Sequence, residues 1–370
     1  MLSNRAAAVA VIVSFLVGIA GSLAIRPPTG NAVSEEIADT EESVRVHWRV
    51  PVSNPTNLPV IGENPVWLAE NLREVSGGAI RFDIYDPGEI VPSFGISDAV
   101  RDGKVPAGVT WLGYDQGKTP ASALLAATPF GMEPWEYSAW WYEAGGKELG
   151  KELYREHNIH PVYCGMTGPE TAGWFKQEIN STADIQGLKI RFAGIGGKVM
   201  EEVGASVTML PAGEIFQALE KGAIDASEFA LPIVDEALGF NRVARFNYYP
   251  GWHQPFTATH LIINLKAWQQ LADRDQKMIE TACDARVTKM LAKSEATQGA
   301  VIAGFPEIGV TAQRLPLPLL KQLDEVTQSV LNAEASRDQM FARILASQRN
   351  FEADYYHWKR LAYLPRDFRE

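Results

Sequence analysis

Apolar positions along this chain recur with a period of two and then with a period near four, several times over. Val44, Val46, Trp48 and Val50 alternate with Arg45, His47 and Arg49, which predicts a strand. Val66, Leu68, Leu72 and Val75 then follow helical spacing over 64–75, and Ser76-Gly77-Gly78 ends that helix. A strand over 80–85, a short helix over 96–101 and a strand over 107–112 continue the alternation of an α/β lobe. The spacing next predicts one long helix over 134–157, whose Trp135, Trp140, Trp141 and Tyr142 form a core-packing stripe, and a strand over 159–164.

The stretch from Gly187 to Pro232 is the most informative. Leu188, Ile190 and Phe192 alternate with polar positions, and Gly194, Gly196 and Gly197 are expected to break that strand and open a helix over 198–203. An extended piece over 207–210, a helix over 215–219 and a strand over 224–229 complete a strand-helix-strand-helix-strand run. Open sheets of this kind place ligands at the carboxyl ends of their strands, where Arg191 and Glu228 stand. A dinucleotide loop fails its own test, because Val199 occupies the position of the third glycine.

Further on, Thr257 to Asn264 is apolar and β-branched, 266–298 is largely helical with a break near Ala272-Asp273, 308–312 is a strand and 317–363 is helical. Phe351, Tyr355, Trp358 and Ala362 recur at helical spacing, a stripe that needs a cover from the same chain or from a second copy. At the other end, Arg5 precedes an uncharged run from Ala6 to Ile25 with small residues at Ser22 and Ala24, which predicts an exported chain. The run is long enough that an uncleaved anchor stays open as an alternative to a signal peptide over 1–25, and 26–43 reads as a flexible leader.

Composition adds exclusions. With 34 basic against 45 acidic residues among 370 and no basic block, the net charge of −11 argues against nucleic acid as a partner. Cys164 and Cys283 have no C-x-x-C spacing, so neither a zinc site nor a thioredoxin-like centre is indicated, and the reading leaves the two thiols unpaired although export would permit a bridge. His157-x-x-His160 stands without other ligand types beside it. No G-x-S-x-G elbow, H-E-x-x-H helix or P-loop occurs, so no enzymatic chemistry is expected.

The sequence LKIR, a glycine pair, VGA and LPAGEIFQALEKGAIDASE in that order, with TPFGM, TGPETAGWF and YYPGWHQP elsewhere, resembles the periplasmic substrate-binding subunits of TRAP transporters, in the branch that takes 2-oxo acids and similar small carboxylates. The resemblance covers about residue 44 to the C-terminus. It implies an α/β, two-lobe periplasmic binding protein of type II-like fold with a long C-terminal helical segment. One lobe is expected over 44–166 and 258–305, the other over 167–257 and 306–345, with a hinge where the chain crosses, and a helical extension over 346–370 for homodimerisation. The implied partners are a small carboxylate and the TRAP membrane permease subunits, in the periplasm.

For the site, Arg191 before a glycine-rich turn offers a guanidinium that could fork onto the ligand carboxylate. In the resembling proteins a cation bridges the ligand to the glutamate and following aromatic that correspond to Glu228 and Phe229, and to a glutamine in the TGxQ-type segment, where this chain has Glu170. Phe229 likewise stands where tryptophan is usual. Two glutamates facing one arginine favour calcium over sodium, with no organic cofactor, while a ligand carrying its own amine is the alternative source of positive charge. Trp174, Trp252 and His253 are candidates for an apolar wall, with core packing as their other reading. Two further functions stay open: an extracytoplasmic lyase or hydrolase on a small carboxylate, for which Arg191 between Glu170 and Glu228 would hold both acids ionised, and a ligand sensor for a membrane receptor.

Overall fold

The computed structural model describes residues 43–366. The readings made for 1–25 and 26–43 lie outside the described residues. In chain order the elements are β1 (Val46–Pro51), α1 (Glu63–Val75), β2 (Ile80–Tyr85), α2 (Ile96–Arg101), β3 (Ala107–Trp111), α3 (Pro134–Glu143), α4 (Gly146–Arg155) and β4 (Ile159–Thr167). Then come β5 (Gly173–Phe175), β6 (Lys189–Arg191), α5 (Gly194–Glu202), β7 (Ser206–Thr208), α6 (Ala212–Glu220), β8 (Ala226–Ser227), α7 (Pro232–Ala237) and β9 (Phe246–Tyr249). The chain closes with β10 (Thr257–Asn264), α8 (Leu265–Gln269), α9 (Asp273–Gly304), β11 (Thr311–Arg314), α10 (Leu317–Arg337) and α11 (Gln339–Ala362).

The fold is α/β with two sheet systems and a long C-terminal helical segment. β1 and β2 pair in parallel, a Val52–Val109 bridge carries them onto β3, and β10 lies antiparallel between β3 and β4. The second sheet runs β11-β9-β5-β8-β6-β7. Every residue of β10 is buried, as a strand covered on both faces requires, which is why its sequence is rich in apolar and β-branched residues without a polar alternation. Val50, Leu68, Leu72, Ile80, Leu261 and Ile263 fill the core between the first sheet and its helices, and Ile215, Leu219, Leu231 and Phe240 do so behind the second.

Helix α9 has 32 residues, about 48 Å at 1.5 Å per residue, and packs against β4 and α1. Its Cys283 is bonded to Cys164 of β4, Sγ–Sγ 2.03 Å, so the expectation of two unpaired thiols is corrected. Residues 119 apart meet because β4 lies directly on α9, a contact that sequence spacing does not show. Closing a loop of that length stabilises the fold by about 4 to 5 kcal/mol in the chain-entropy account, and it belongs in an oxidising compartment.

Other boundaries shift for physical reasons. The expected single helix over 134–157 is two, because Gly145 turns the chain at φ 88° and a Cβ on Gly146 would lie 2.8 Å from the Trp140 ring and from Trp141 Cα. Trp140 and Trp141 are core residues, whereas Trp135 is exposed. Helix α5 begins at Gly194, not at Lys198, so the glycines belong to the helix: Gly196 lies so close to Phe192 and His253 that a Cβ would stand 2.6 and 2.7 Å from them. β8 is two residues long, the strand near 308–312 is displaced to β11, and Asp338 splits the C-terminal helix by capping α11 through Phe341 N–H.

The first half of α11 is bound to its own chain: Gln348 Nε2 donates to Leu124 O at 2.8 Å, and Trp140 Nε1 donates to Ser347 Oγ at 3.0 Å. Phe351 and Tyr355 are half-buried and stack at 5.6 Å. Beyond them Tyr356, Trp358, Leu361 and Tyr363 are exposed, and ion pairs Lys359–Glu136 (2.6 Å) and Arg366–Glu133 (2.5 Å) tie this end to α3. Among the described residues no helix is long and apolar enough to cross a membrane.

Candidate functional site

Parallel pairing of β6 with β8 sets Arg191 opposite Ser227, so Glu228 follows immediately at the same strand end. Arg191 Nη1 donates to Glu228 Oε1 at 2.6 Å and to Glu228 O at 2.8 Å, and Nε donates to Leu210 O at 3.2 Å. Ala193 N–H donates to the same Oε1 at 2.6 Å. The Phe229 ring lies under the guanidinium, 5.1 Å from centroid to Cζ. Both charged side chains are 2% exposed or less. Nη1 is thus already engaged by the protein, and Nη2 is the nitrogen outside these bonds, which narrows the fork expected for a ligand.

Glu170 reaches the same place from another direction. Its segment is held by Gly168 N–H donating to Ser294 Oγ on α9 at 2.7 Å and by Glu170 N–H donating to Gln254 O at 3.2 Å. A Cβ on Gly251 would lie 2.3 Å from Glu170 O, so only glycine lets the 250–255 loop pack there. Thr257 Oγ1 donates to Glu170 Oε1, and Gln254 Nε2 donates to Thr257 Oγ1 at 2.8 Å. His253 Nε2 stands 3.4 Å from Glu228 Oε2 and 3.9 Å from Glu170 Oε2. One ligand atom from each of Glu170, Glu228 and His253 falls within 4.8 Å of the others, and all three residues are buried. Glu170 Oε2, Glu228 Oε2 and both His253 ring nitrogens have no hydrogen-bond partner.

Environment separates the two carboxyls. Burial, with the Glu228 charge beside it, pushes Glu170 well above the ordinary carboxyl range. Burial acts on Glu228 in the same sense, but Arg191, His253 and the Ala193 N–H together outweigh it and hold this group below its ordinary value. The expectation that Arg191 would keep both acids ionised is therefore corrected: the guanidinium bonds Glu228 alone. Burial also raises Tyr114 to about 12 and Asp235 to about 8, the latter against hydrogen bonds from Trp174 Nε1 and Ala230 N–H. Buried carboxylate oxygens without partners fit a hard cation, which accepts several oxygen ligands and offsets their charge.

The cavity beside this cluster is lined by the charged Glu170, Arg191 and Glu228 and by the neutral Asn54, Trp111, Tyr114, Phe229, Thr257 and Thr259. Its volume is about 30 Å³, where one water occupies about 10–15 Å³ on this measure. A guest here is small. Larger hollows of about 600 and 630 Å³ lie elsewhere, but neither gathers unpartnered buried charge, so chemistry rather than size identifies the site.

Trp174 and Trp252 do not line this cavity. Trp174 is fully buried, donates to Asp235 at 2.8 Å and packs edge-on to Phe305, while Trp252 stacks on Phe130. Both support the loops behind the site. Trp111 and Thr259 escaped the sequence reading, although Trp111 ends β3 and strand carboxyl ends are where such sheets meet ligands.

Residues 54–338 match the family of bacterial extracellular solute-binding proteins, family 7. A monocarboxylate 2-oxoacid-binding periplasmic protein of Nostoc sp. is 34% identical over 317 residues, spanning 85% of this chain and 86% of that one. A TRAP transporter solute-binding protein of Bordetella bronchiseptica superimposes with a TM-score of 0.85 at 32% identity, covering 86% of this chain and 95% of that one; it is a mixed-occupancy dimer with co-purified calcium and picolinate in one site and the other apo. A TRAP periplasmic solute-binding protein of Pseudoalteromonas atlantica, with bound sodium and pyruvate, gives 0.82 at 30% identity, covering 86% and 97%.

Proposed function

The chain belongs to the family-7 bacterial extracellular solute-binding proteins, and from that premise we propose that it binds a small 2-oxo or 2-hydroxy monocarboxylate together with a cation and hands it to TRAP permease subunits. The observation that carries this reading is the set of four unpartnered buried atoms on the trio Glu170, Glu228 and His253 beside Arg191. A buried carboxyl oxygen left without a partner costs free energy, and a bound cation would offset that cost for Glu170 Oε2 and Glu228 Oε2. Glu228 and Glu170 would hold the cation, which supplies positive charge between the protein's oxygens and those of the ligand. Arg191, fixed by Glu228 and Leu210 O, presents its remaining nitrogen to the ligand carboxylate, and the Phe229 ring packs against the planar guanidinium. Tyr114 and Trp111 exclude water from the rest of the cavity.

Residues 44–166 with 258–305 and residues 167–257 with 306–345 act as the two closing lobes, and the exposed end of α11, with Trp358 and Leu361, takes its cover from a second copy. This reading assigns no covalent step: Glu228 is locked by two donors on one oxygen and has no proton to give. Calorimetry with pyruvate and calcium tests it. We expect saturable binding that weakens at least about tenfold in chelator. An unchanged dissociation constant in chelator would overturn the cation assignment, and conversion of pyruvate during the titration would make the protein an enzyme.

A further inference from the structure

The charged residues of the cavity account for one end of a ligand, and its neutral lining carries features they do not use. Trp111 and Thr259 are direct partners across the β3–β10 ladder, so their side chains emerge on one face of the sheet a few ångströms apart. Both line the cavity and are at most 7% exposed, and Trp111 Nε1 and Thr259 Oγ1 have no hydrogen-bond partner. Buried indole N–H groups seldom go unmatched. Two other buried indoles are matched: Trp140 Nε1 donates to Ser347 and Trp174 Nε1 to Asp235. The chain also makes room for the ring. A Cβ on Gly113 would lie 2.2 Å from Trp111 Cη2, and one on Gly194, at the start of α5 across the cavity, 2.9 Å from the same atom.

We propose that Trp111 and Thr259 form a neutral donor subsite for an acceptor oxygen of the ligand, distinct from the charged cluster. The inference rests on the small-carboxylate reading and extends it to a second set of contacts. An indole N–H only donates, and the threonine hydroxyl beside it can donate in parallel, so the guest atom is an oxygen with free lone pairs. A ligand placing an ammonium group here would face the indole N–H, a donor, with only the Thr259 oxygen to accept from it, and is disfavoured. The subsite therefore selects small acids with a further acceptor, of the 2-oxo or 2-hydroxy class, over amino-bearing analogues.

The test uses the mature protein with pyruvate and calcium, comparing wild type with Trp111→Phe, which keeps the ring and removes the N–H, and Thr259→Val, which keeps the shape and removes the hydroxyl. Each variant should bind pyruvate about tenfold more weakly, the cost of a buried oxygen losing one donor. In nitrogen-15 spectra the Trp111 indole resonance, identified by its loss in Trp111→Phe, should move downfield when pyruvate is added. Both variants binding within about twofold of wild type, with that resonance unmoved, would overturn the subsite. A lower melting temperature of ligand-free Trp111→Phe with unchanged affinity would also overturn it, since the N–H would then serve the fold alone. If Arg191→Ala abolishes binding while both variants are silent, only this inference falls; if wild type binds no pyruvate, the functional reading falls and takes the subsite with it.

Discussion

Two clusters of charge in this molecule have almost the same bond lengths and opposite meanings. In the cleft, Arg191 and Glu228 meet at 2.6 Å with side chains 2% and 1% exposed; at the foot of α11, Lys359 and Glu136 also meet at 2.6 Å, with the lysine 39% exposed. Glu136 is 8% exposed, but Lys359 and the neighbouring Glu133 and Arg366 are open to water, and a pair whose lysine stays solvated is worth about 1 kcal/mol. Around the first, two carboxylate oxygens and an imidazole stay unmatched out of reach of solvent. Distance alone does not distinguish a site from a clamp; the leftover buried atoms do.

The sharpest way to break this contrast is Arg191→Ala. Removing the guanidinium leaves Glu228 buried beside Glu170, so the ligand-free protein should lose about 3 to 5 kcal/mol, read as a fall in urea midpoint. Pyruvate affinity should drop at least about a hundredfold. Adding Glu228→Gln to that variant should recover much of the midpoint and none of the binding. A midpoint in Arg191→Ala no lower than that of Lys359→Ala would end the distinction.

Gly194→Ala comes next. Its φ of 67° is a left-handed conformation, and the new Cβ would press on Trp111 from across the cavity. The strain, roughly 1 to 2 kcal/mol, lowers stability with or without ligand, and the displacement of Trp111 should weaken pyruvate binding about tenfold by calorimetry, with the charged cluster intact. Lys359→Ala should change stability by less than about 1 kcal/mol and leave affinity alone.

The smallest effect is a pH dependence at the foot of α11. Burial, with Glu136 nearby, raises Glu352 to about 7. A raised folded-state value means that protonated Glu352 favours the fold: its contribution is complete below the ordinary carboxyl value of 4.5 and is lost as pH rises through about 7. The difference in melting temperature between wild type and Glu352→Gln should therefore grow in favour of the variant from about pH 5 to about pH 8. A constant difference would mean that Glu352 titrates normally.

How far the sequence reveals this architecture depends on what each residue must satisfy. Period-two and period-four patterns locate β1, α2, β3, β10 and the break before α9, because burial on a sheet or helix face forces them. Arg191, Glu170 and Glu228 were readable as candidates because motif order carries them, and the fold does gather them. His253 was ambiguous, since a histidine beside a tryptophan in a proline-rich loop is equally at home in a core, and only its two unmatched nitrogens mark it. Trp111 and Thr259 were invisible because their pairing across β3 and β10 joins positions far apart in sequence. The helix start was misplaced because the three glycines serve different needs: Gly194 a left-handed turn, Gly196 close approach to Phe192 and His253, and Gly197 close approach to the Phe192 backbone.

The Cys164–Cys283 bond has one more consequence. Every residue of the charged cluster, from Glu170 to His253, and the whole of β10 lie between those cysteines. A protease that nicks a loop anywhere in that interval converts the chain into two polypeptides that remain one covalent molecule. Such damage would be silent on a gel run without reductant and would appear as two fragments once the bond is reduced. A nicked molecule of this kind keeps both of its pieces together, where a severed piece could otherwise diffuse away.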